Sequence, residues 1–207
     1  MDTSIGYTCI SRRLALRLFL LPLASCAVEE VPAPVYPPLD YGYLAPLRLN
    51  VARIEIDDSW TPPGGVQDLS ALSPVQPIDA LRRTLRERLV AGGNAGRALA
   101  TIEDAAIVQG YGGLAGHFAV RLDIFTSGDT PAAYAEATVA RTLGVPAAGP
   151  DTLASALYTL TRQMMDDMNI ELEFQVRRSL RDWLRDSNPS PSVVPAPVQQ
   201  QPLPPPS

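Results

Sequence analysis

The chain has 207 residues with 17 basic and 22 acidic side chains, a formal charge of −5, and every basic residue is an arginine. This length fits one domain or two small ones, and the lack of lysine excludes Schiff-base lysine chemistry and a P-loop lysine. One histidine and two cysteines are too few for an ordinary structural zinc site, and the acidic balance disfavours binding to a nucleic-acid backbone.

The N-terminus has the pattern of an export signal. Arginines precede an apolar run, residues 14–23, that is shorter than the roughly 20 residues a transmembrane helix needs. Its length is that of the apolar region of a signal peptide, so we predict that residues 1–25 are removed. Residues 11–17 are also similar to a twin-arginine export motif, except at Ala15, where that motif prefers an aromatic residue. The export route therefore stays open between the general secretory and twin-arginine pathways.

The end of this signal resembles the lipobox of bacterial lipoproteins. Leu23, Ala24 and Ser25 match its apolar and small positions, and Cys26 stands at its cysteine. The resemblance implies that Cys26 takes a diacylglycerol and becomes the first residue of an acylated mature chain, each buried methylene contributing about 0.8 kcal/mol to membrane binding. Ala27 stands where enteric inner-membrane lipoproteins have aspartate, which implies the periplasmic face of the outer membrane, with the inner membrane as the alternative. A secretory signal that ends near a chance cysteine is the other interpretation.

Cleavage changes the chemistry of the remaining chain. Cys9 leaves with the signal and Cys26 carries lipid, so the mature domain has no thiol for a disulfide even in an oxidising compartment. The signal also removes three arginines and one aspartate, which leaves 14 arginines against 21 acidic residues and a charge of −7. That charge opposes close binding to an anionic membrane surface.

Proline-rich segments flank the central region, which we assign as an α+β domain over residues 47–186. Residues 26–46 read as an extended spacer that would reach about 60 Å at about 3.1 Å per residue. Its three tyrosines, which could instead pack on the domain or on a partner, are Tyr36, Tyr41 and Tyr43. Residues 187–207 contain eight prolines and bury too little apolar surface to fold, so we predict a disordered tail.

The central region begins with a strand pattern. Residues 47–51 alternate apolar and polar, and residues 54–56 alternate in the opposite phase, which predicts a bulge near residues 52–53. A helix is predicted to begin with Ser73 as its cap, although Pro77 leaves the first residue open, and to end at Gly92–Gly93. Its apolar face is predicted to hold Ile78, Leu81, Leu85 and Leu89, and its other faces Arg82, Arg83, Arg86 and Arg88.

Three alternating runs and a long helix follow. Residues 98–108, 118–124 and 133–139 are joined by connections too short for crossovers, which predicts an antiparallel meander. The last helix is predicted to begin at residues 150–152 and to continue to Leu184 with apolar residues at steps of four. Such a series drifts around a helix of 3.6 residues per turn, so the helix should curve, break near Asn169 or project beyond the sheet. Three large residues lie off this stripe and are predicted at the core edge, with a seat for the tyrosine linker or a partner surface as the alternative: Met165, Phe174 and Trp183.

The element order β-α-β-β-β-α predicts an α+β two-layer sandwich. We expect a four-stranded, mainly antiparallel sheet with two helices on one face. The first strand can be parallel to a meander strand, because a helix intervenes. The other face of the sheet is then open to water or to a partner.

Few side chains are suited to catalysis. His117 is the only imidazole and no G-x-S-x-G nucleophile elbow accompanies it, so we interpret it as a solvated structural residue. The last predicted helix carries four carboxylates: Asp166, Asp167, Glu171 and Glu173. They could act as acid and base or bind calcium, but calcium-loop spacing is missing and arginines lie among them, which favours a solvated, salt-bridged face. We therefore predict a protein that is not an enzyme and has no cofactor or metal site.

The lipobox followed by this element order is similar to several small periplasmic lipoproteins. One is the lipopolysaccharide-assembly lipoprotein that plugs an outer-membrane barrel, and another is the auxiliary lipoprotein of lipid-transporting ABC systems. Residues 47–55 also resemble small alphaproteobacterial envelope lipoproteins of unassigned function. The resemblance implies a non-catalytic accessory or adaptor of an envelope assembly or lipid-transport machine, bound to the membrane by acyl chains and to an envelope protein. The alternatives are a lipid-binding module with an apolar groove between helices and sheet, and a hydrolase using His117.

Overall fold

The computed structural model describes residues 34–64, 67–144 and 150–185. Within these ranges the elements are, in chain order, β1 (Leu47–Leu49), β2 (Arg53–Asp57), α1 (Pro77–Arg88), β3 (Leu89–Ala91), β4 (Arg97–Gly110), β5 (Gly113–Phe125), β6 (Pro131–Gly144) and α2 (Pro150–Ser179). Short 3₁₀ turns lie at Ser70–Leu72 and Arg181–Trp183.

The main sheet has the strand order β2-β4-β5-β6 and confirms the predicted α+β class. The last three strands form the antiparallel meander, and β2 lies parallel to β4, as the helix between them allows. Buried and exposed residues alternate along β4 and β5. α1 lies against β4, and α2 lies against β6 and β5, in one common core. One face of the sheet is therefore covered by both helices and the other is open.

The phase change after residue 51 separates two strands of different sheets, so the predicted bulge is wrong. β1 pairs in parallel with β3 in a separate two-stranded sheet, whereas β2 joins the main sheet beside β4. Between them Val51 is fully buried, and the amide of Ala52 donates to the carbonyls of Ala95 and Gly96. The chain thus crosses from one sheet to the other over three residues.

α1 is shorter than predicted at both ends. It begins at Pro77, with Gln76 as N-cap, because proline at the first helical position loses no hydrogen bond. Ser73 instead follows the 3₁₀ turn, and its hydroxyl lies 3.3 Å from that of Thr161 in the core. The helix ends at Arg88, and the predicted helical residue Leu89 opens β3.

α2 runs unbroken for 30 residues, about 45 Å at 1.5 Å per residue. It needs no break because β6 has 14 residues and spans about 46 Å, so the sheet is as long as the helix. Its buried residues follow mixed steps of three and four that keep the stripe on one face. They are Ala156, Leu157, Leu160, Thr161, Met164, Met165, Met168, Asn169, Leu172 and Val176. Met165, predicted at the core edge, is fully buried.

Small residues on the sheet let α2 approach closely. Ala135 and Ala137 of β6 are buried beneath it. Gly116 of β5 lies against Met164, and a Cβ at this glycine would collide with the methionine sulfur. The alanine-rich pattern of β6 is therefore explained by helix packing.

Candidate functional site

The N-terminal part of the described chain, residues 34–50, forms an extended strap along α2. At its start, the hydroxyl of Tyr158 donates to the carbonyl of Pro37 over 3.0 Å. In its middle, the hydroxyl of Tyr41 donates to the carboxylate of Asp166 over 2.9 Å. At its end, the amide of Asn50 donates to a carbonyl in the 3₁₀ turn after α2 over 2.7 Å. The strap thus follows the helix in the same direction from its third turn to beyond its last.

Tyrosines fix the strap to the domain. The sequence had offered this packing as the alternative to a plain extended spacer. Tyr41 is 4% exposed, and burial together with the hydrogen bond to Asp166 raises its pKa above the ordinary value. Tyr36 packs on Tyr158 with ring centres 5.2 Å apart. Its hydroxyl is buried and has no hydrogen-bond partner among the residues described. Tyr43 is largely exposed.

Arg88 is buried, so the prediction that it lies outside the buried face of α1 is wrong. Its guanidinium donates to the side-chain oxygen of Asn169 over 3.0 Å and to Glu173 over 2.8 Å. Only 1% of Arg88 is exposed, and its Nε has no partner in the described part of the chain. Spacing could have revealed this, because Arg88 stands seven residues after Leu81 and so lies on the buried face of α1.

Asn169 and Glu173 present this buried polar site from α2. The side-chain amide of Asn169 also donates to the carbonyl of Met165 over 2.9 Å, so a polar residue sits in the helix stripe without breaking the helix. Glu173 receives a second hydrogen bond from Arg177 over 2.9 Å. Burial acts to raise the pKa of Glu173, but the hydrogen bonds from Arg177 and Arg88 bring it below its ordinary value. The arrangement joins α1 to α2 as a structural ion pair.

Each of the four carboxylates of α2 has its own partner. Asp166 accepts from Tyr41, and Glu173 accepts from Arg88 and Arg177. Asp167 accepts from Arg141, and Glu171 accepts from Gln175. No group of three metal-ligating side chains occurs in residues 34–64, 67–144 and 150–185.

His117 lies on the open face of the sheet. Its Nδ1 is 2.8 Å from the carboxylate of Asp104, which also accepts from the amide of Ala106. This carboxylate orients the imidazole as it would in a catalytic pair. Within the described residues no serine or threonine hydroxyl forms a hydrogen bond to the ring.

The same open face carries two arginines that stack on aromatic rings. Arg97 lies 3.9 Å from the ring centre of Phe125, and Arg121 lies 4.4 Å from that of Tyr134. Arg121 also forms a two-point ion pair with Asp123, and this hydrogen bonding raises the pKa of Arg121. Both ring-centre distances lie within the range of a cation–π contact. The open face therefore carries charged side chains that contact aromatic rings.

The two ends of the sheet differ in character. At the hairpin end, β4 turns into β5 at Tyr111–Gly112, next to the last residue of β6, Gly144. The opposite end of the sheet, where residues 126–130 connect β5 to β6, we call the turn end. There the charged residues Arg53, Arg97 and Asp129 line a groove of about 390 Å³.

A second groove, which we call the end groove, opens at the hairpin end. It has about 460 Å³ and is lined by the strap, the end of β6 and the first turns of α2. Its walls include Pro34, Tyr36, Leu143 and Ala156. It lies at the margin of the domain, whereas the space between helices and sheet is filled by core side chains.

The lipobox residues Leu23, Ala24, Ser25 and Cys26 lie outside the described residues, so their roles remain predictions. In the part of the chain that the structure describes, no helix has the length and hydropathy to cross a membrane.

No family model matches the chain, and no curated protein matches it. Among solved structures it is similar to protein XCC0632 from Xanthomonas campestris, which carries the family model DUF330. The sequence identity is 13% and the TM-score 0.32, over 65% of this chain and 90% of that chain. A likeness this distant carries no information on function.

Proposed function

We propose that this protein is a non-catalytic lipoprotein of the bacterial envelope, anchored by acyl chains on Cys26. It serves as an accessory or adaptor of a cell-envelope assembly or lipid-transport machine. The lipobox Leu23–Cys26 supports the anchor, and Ala27 supports the periplasmic face of the outer membrane over the inner membrane.

The packed strap is the observation that carries this proposal. The strap is held on the domain from Tyr36 onward, and Cys26 precedes the first described residue, Pro34, by eight residues. Eight extended residues span at most about 28 Å. The spacer expected from the proline pattern would have reached about 60 Å. A short tether holds the domain beside the membrane, as suits a protein whose role depends on its position.

Two surfaces are available for an envelope partner. The open face presents the arginine–aromatic pairs of Arg97 and Arg121. At the sheet edge, β6 has 14 residues and, among the described strands, pairs only with β5. Unpaired backbone groups along such an edge can accept a strand from another protein.

The two alternatives find less support in the described residues. A lipid-binding module needs an apolar groove between helices and sheet, where Phe118, Leu157 and Met164 fill the space. A hydrolase using His117 needs a nucleophile within hydrogen-bond reach, and the described partner of His117 is Asp104. An accessory role needs neither feature.

The anchor is tested by mass spectrometry of the mature N-terminus. We expect a chain that begins at acylated Cys26, and we expect Cys26→Ala to remain unacylated. Cys9→Ala is the matched control, since Cys9 belongs to the predicted signal, and it should be acylated normally. An unacylated wild-type N-terminus would refute the proposal.

The adaptor role is tested by crosslinking in whole cells. A photo-crosslinking residue at Thr138 or Glu136 would sample the open face, and one at Arg162 would sample the exposed side of α2 as a control. We expect one specific envelope protein from the open-face positions. Recovery of none from any position would count heavily against an adaptor.

A further inference from the structure

We propose that the hairpin end of the domain docks on the bilayer surface, with Tyr111 and Val35 entering the headgroup region. This inference rests on the proposed acyl anchor. It adds an orientation: the charged turn end then lies farthest from the membrane, and the open face, which runs along the strands, stays accessible.

The hairpin end carries the two most exposed large apolar side chains of the described residues. Tyr111, at the tip between β4 and β5, is 113% exposed, and Val35, at the start of the strap, is 88% exposed. They belong to one surface, because Gly112 lies next to Gly144 and Gly144 lines the end groove with Pro34. Tyrosine, with an apolar ring and a polar tip, is suited to the membrane–water interface.

Charge distribution favours this end over the others. The hairpin from residue 105 to residue 116 and residues 142–144 contain no charged side chain. Three charged groups beside them have described partners: Asp68 accepts from Ser70 and from the amide of Ile107, Asp104 lies 2.8 Å from His117, and Arg141 binds the carboxylate of Asp167 over 2.6 Å. The hairpin itself can therefore approach lipid without burying a charged side chain.

The net charge of the mature chain also favours docking by the hairpin end. A charge of −7 is repelled by an anionic leaflet, but the repulsion falls off within a Debye length of about 8 Å at physiological salt. The turn end, with Asp129 and its arginines, lies about 46 Å away along β4. Docking by the hairpin end thus keeps these charges many Debye lengths from the lipid.

Tether length excludes the opposite orientation. If the turn end faced the bilayer, Pro34 would stand about 46 Å above it, because the strap runs from the hairpin end to the turn end. The eight residues from Cys26 to Pro34 reach at most about 28 Å. The anchor and the uncharged end therefore require the same orientation.

Single-cysteine labelling tests the docking on the acylated full chain. In the proposed mature protein the thiol of Cys26 is acylated, so an introduced cysteine is the only free thiol. Tyr111→Cys and Val35→Cys report on the hairpin end, and Ser127→Cys in an exposed turn is the control at the other end. Each variant carries an environment-sensitive fluorophore and is bound to phosphatidylethanolamine–phosphatidylglycerol vesicles, with or without nitroxide-labelled lipid. All three positions are exposed, so the fold should be unchanged by circular dichroism.

We expect loss of fluorescence by nitroxide lipid at positions 111 and 35 and no loss at 127. Vesicle flotation is read separately and reports the anchor alone. Flotation without quenching at 111 and 35 would overturn the docking and leave the anchor standing, whereas failure to float would refute the anchor. Equal quenching at all three positions would overturn a fixed orientation. A label at 111 shielded from water but not quenched by lipid would assign the surface to protein, such as a second copy, and overturn the proposal.

Discussion

Tyr41 holds the middle of the strap, so replacing Tyr41 by phenylalanine tests whether the strap belongs to the folded domain. The change keeps the buried ring and removes the hydroxyl that donates to Asp166. A hydrogen bond to a charged group contributes about 1.5–3 kcal/mol. Asp166 is exposed and regains water when the hydroxyl is removed, so we expect a smaller loss of about 1 kcal/mol.

The assay is urea unfolding, in which the midpoint should fall while the slope stays unchanged. Two controls come from the same strap. Tyr36→Phe removes a buried hydroxyl without a described partner and should leave stability equal or slightly higher. Tyr43→Phe alters an exposed residue and should change nothing measurable. If Tyr41→Phe were as stable as the wild type, or if Tyr36→Phe lost as much, the reasoning would be refuted.

Alkaline pH gives an independent signature of Tyr41. Because burial and Asp166 raise the pKa of Tyr41 in the folded state, the unfolded chain ionises first, near pH 10.0. The stabilisation is complete below that pH. It is lost as the pH rises further, by up to about 1.4 kcal/mol per unit for one proton. Tyr41→Phe should remove this part of the alkaline slope, which unfolding curves between pH 9 and pH 11 would measure; an unchanged slope would contradict the assignment.

Three further predictions concern stability. Arg88→Met should lower the free energy of unfolding in urea by about 1–3 kcal/mol, which is less than for a fully buried pair because Glu173 keeps a second arginine. The control Arg86→Met alters an exposed residue and should change that free energy by no more than about 0.5 kcal/mol. Equal effects of the two changes would contradict the buried site. Gly96→Ala should lower the melting temperature more than Gly112→Ala, since both have positive φ but only Gly96 faces a backbone carbonyl that a Cβ would strike; the reverse order would refute this. The pKa of Glu173 is lowered in the folded state, so the free energy of unfolding should fall below about pH 4.5 as Glu173 takes up a proton. Glu173→Gln should make this fall with pH less steep. A fall as steep as in the wild type would contradict the role of Glu173.

Local patterns were sufficient for much of the fold. The alternation in the runs that became β4, β5 and β6, with short connections, predicted the meander, because period-two burial and tight turns are properties of neighbouring residues. The long stripe predicted α2 but not that the helix runs unbroken. That depended on a sheet of equal length and on Asn169 turning its amide back to the helix.

The polar site and the strap escaped local reasoning for a different reason. Arg88 stands at the helical spacing of a core residue, yet a guanidinium is buried only where Asn169 and Glu173 meet it from another helix. Proline spacing indicates an extended chain, but it does not say that Tyr41 finds Asp166, 125 residues away. In the sequence, β1 and β2 look like one bulged strand. They belong to different sheets because β1 pairs with β3 and β2 pairs with β4, and these partners lie far away in the chain.

The amino-acid sequence alone determined the three meander strands, the two helices and which cysteine fits a lipobox, since these depend on residues close together in the chain. The tertiary structure decided where the strap lies, how far a tether can reach and which end of the sheet is uncharged. These depend on contacts between distant residues, and a contact stabilises a protein only once folding has brought both partners together.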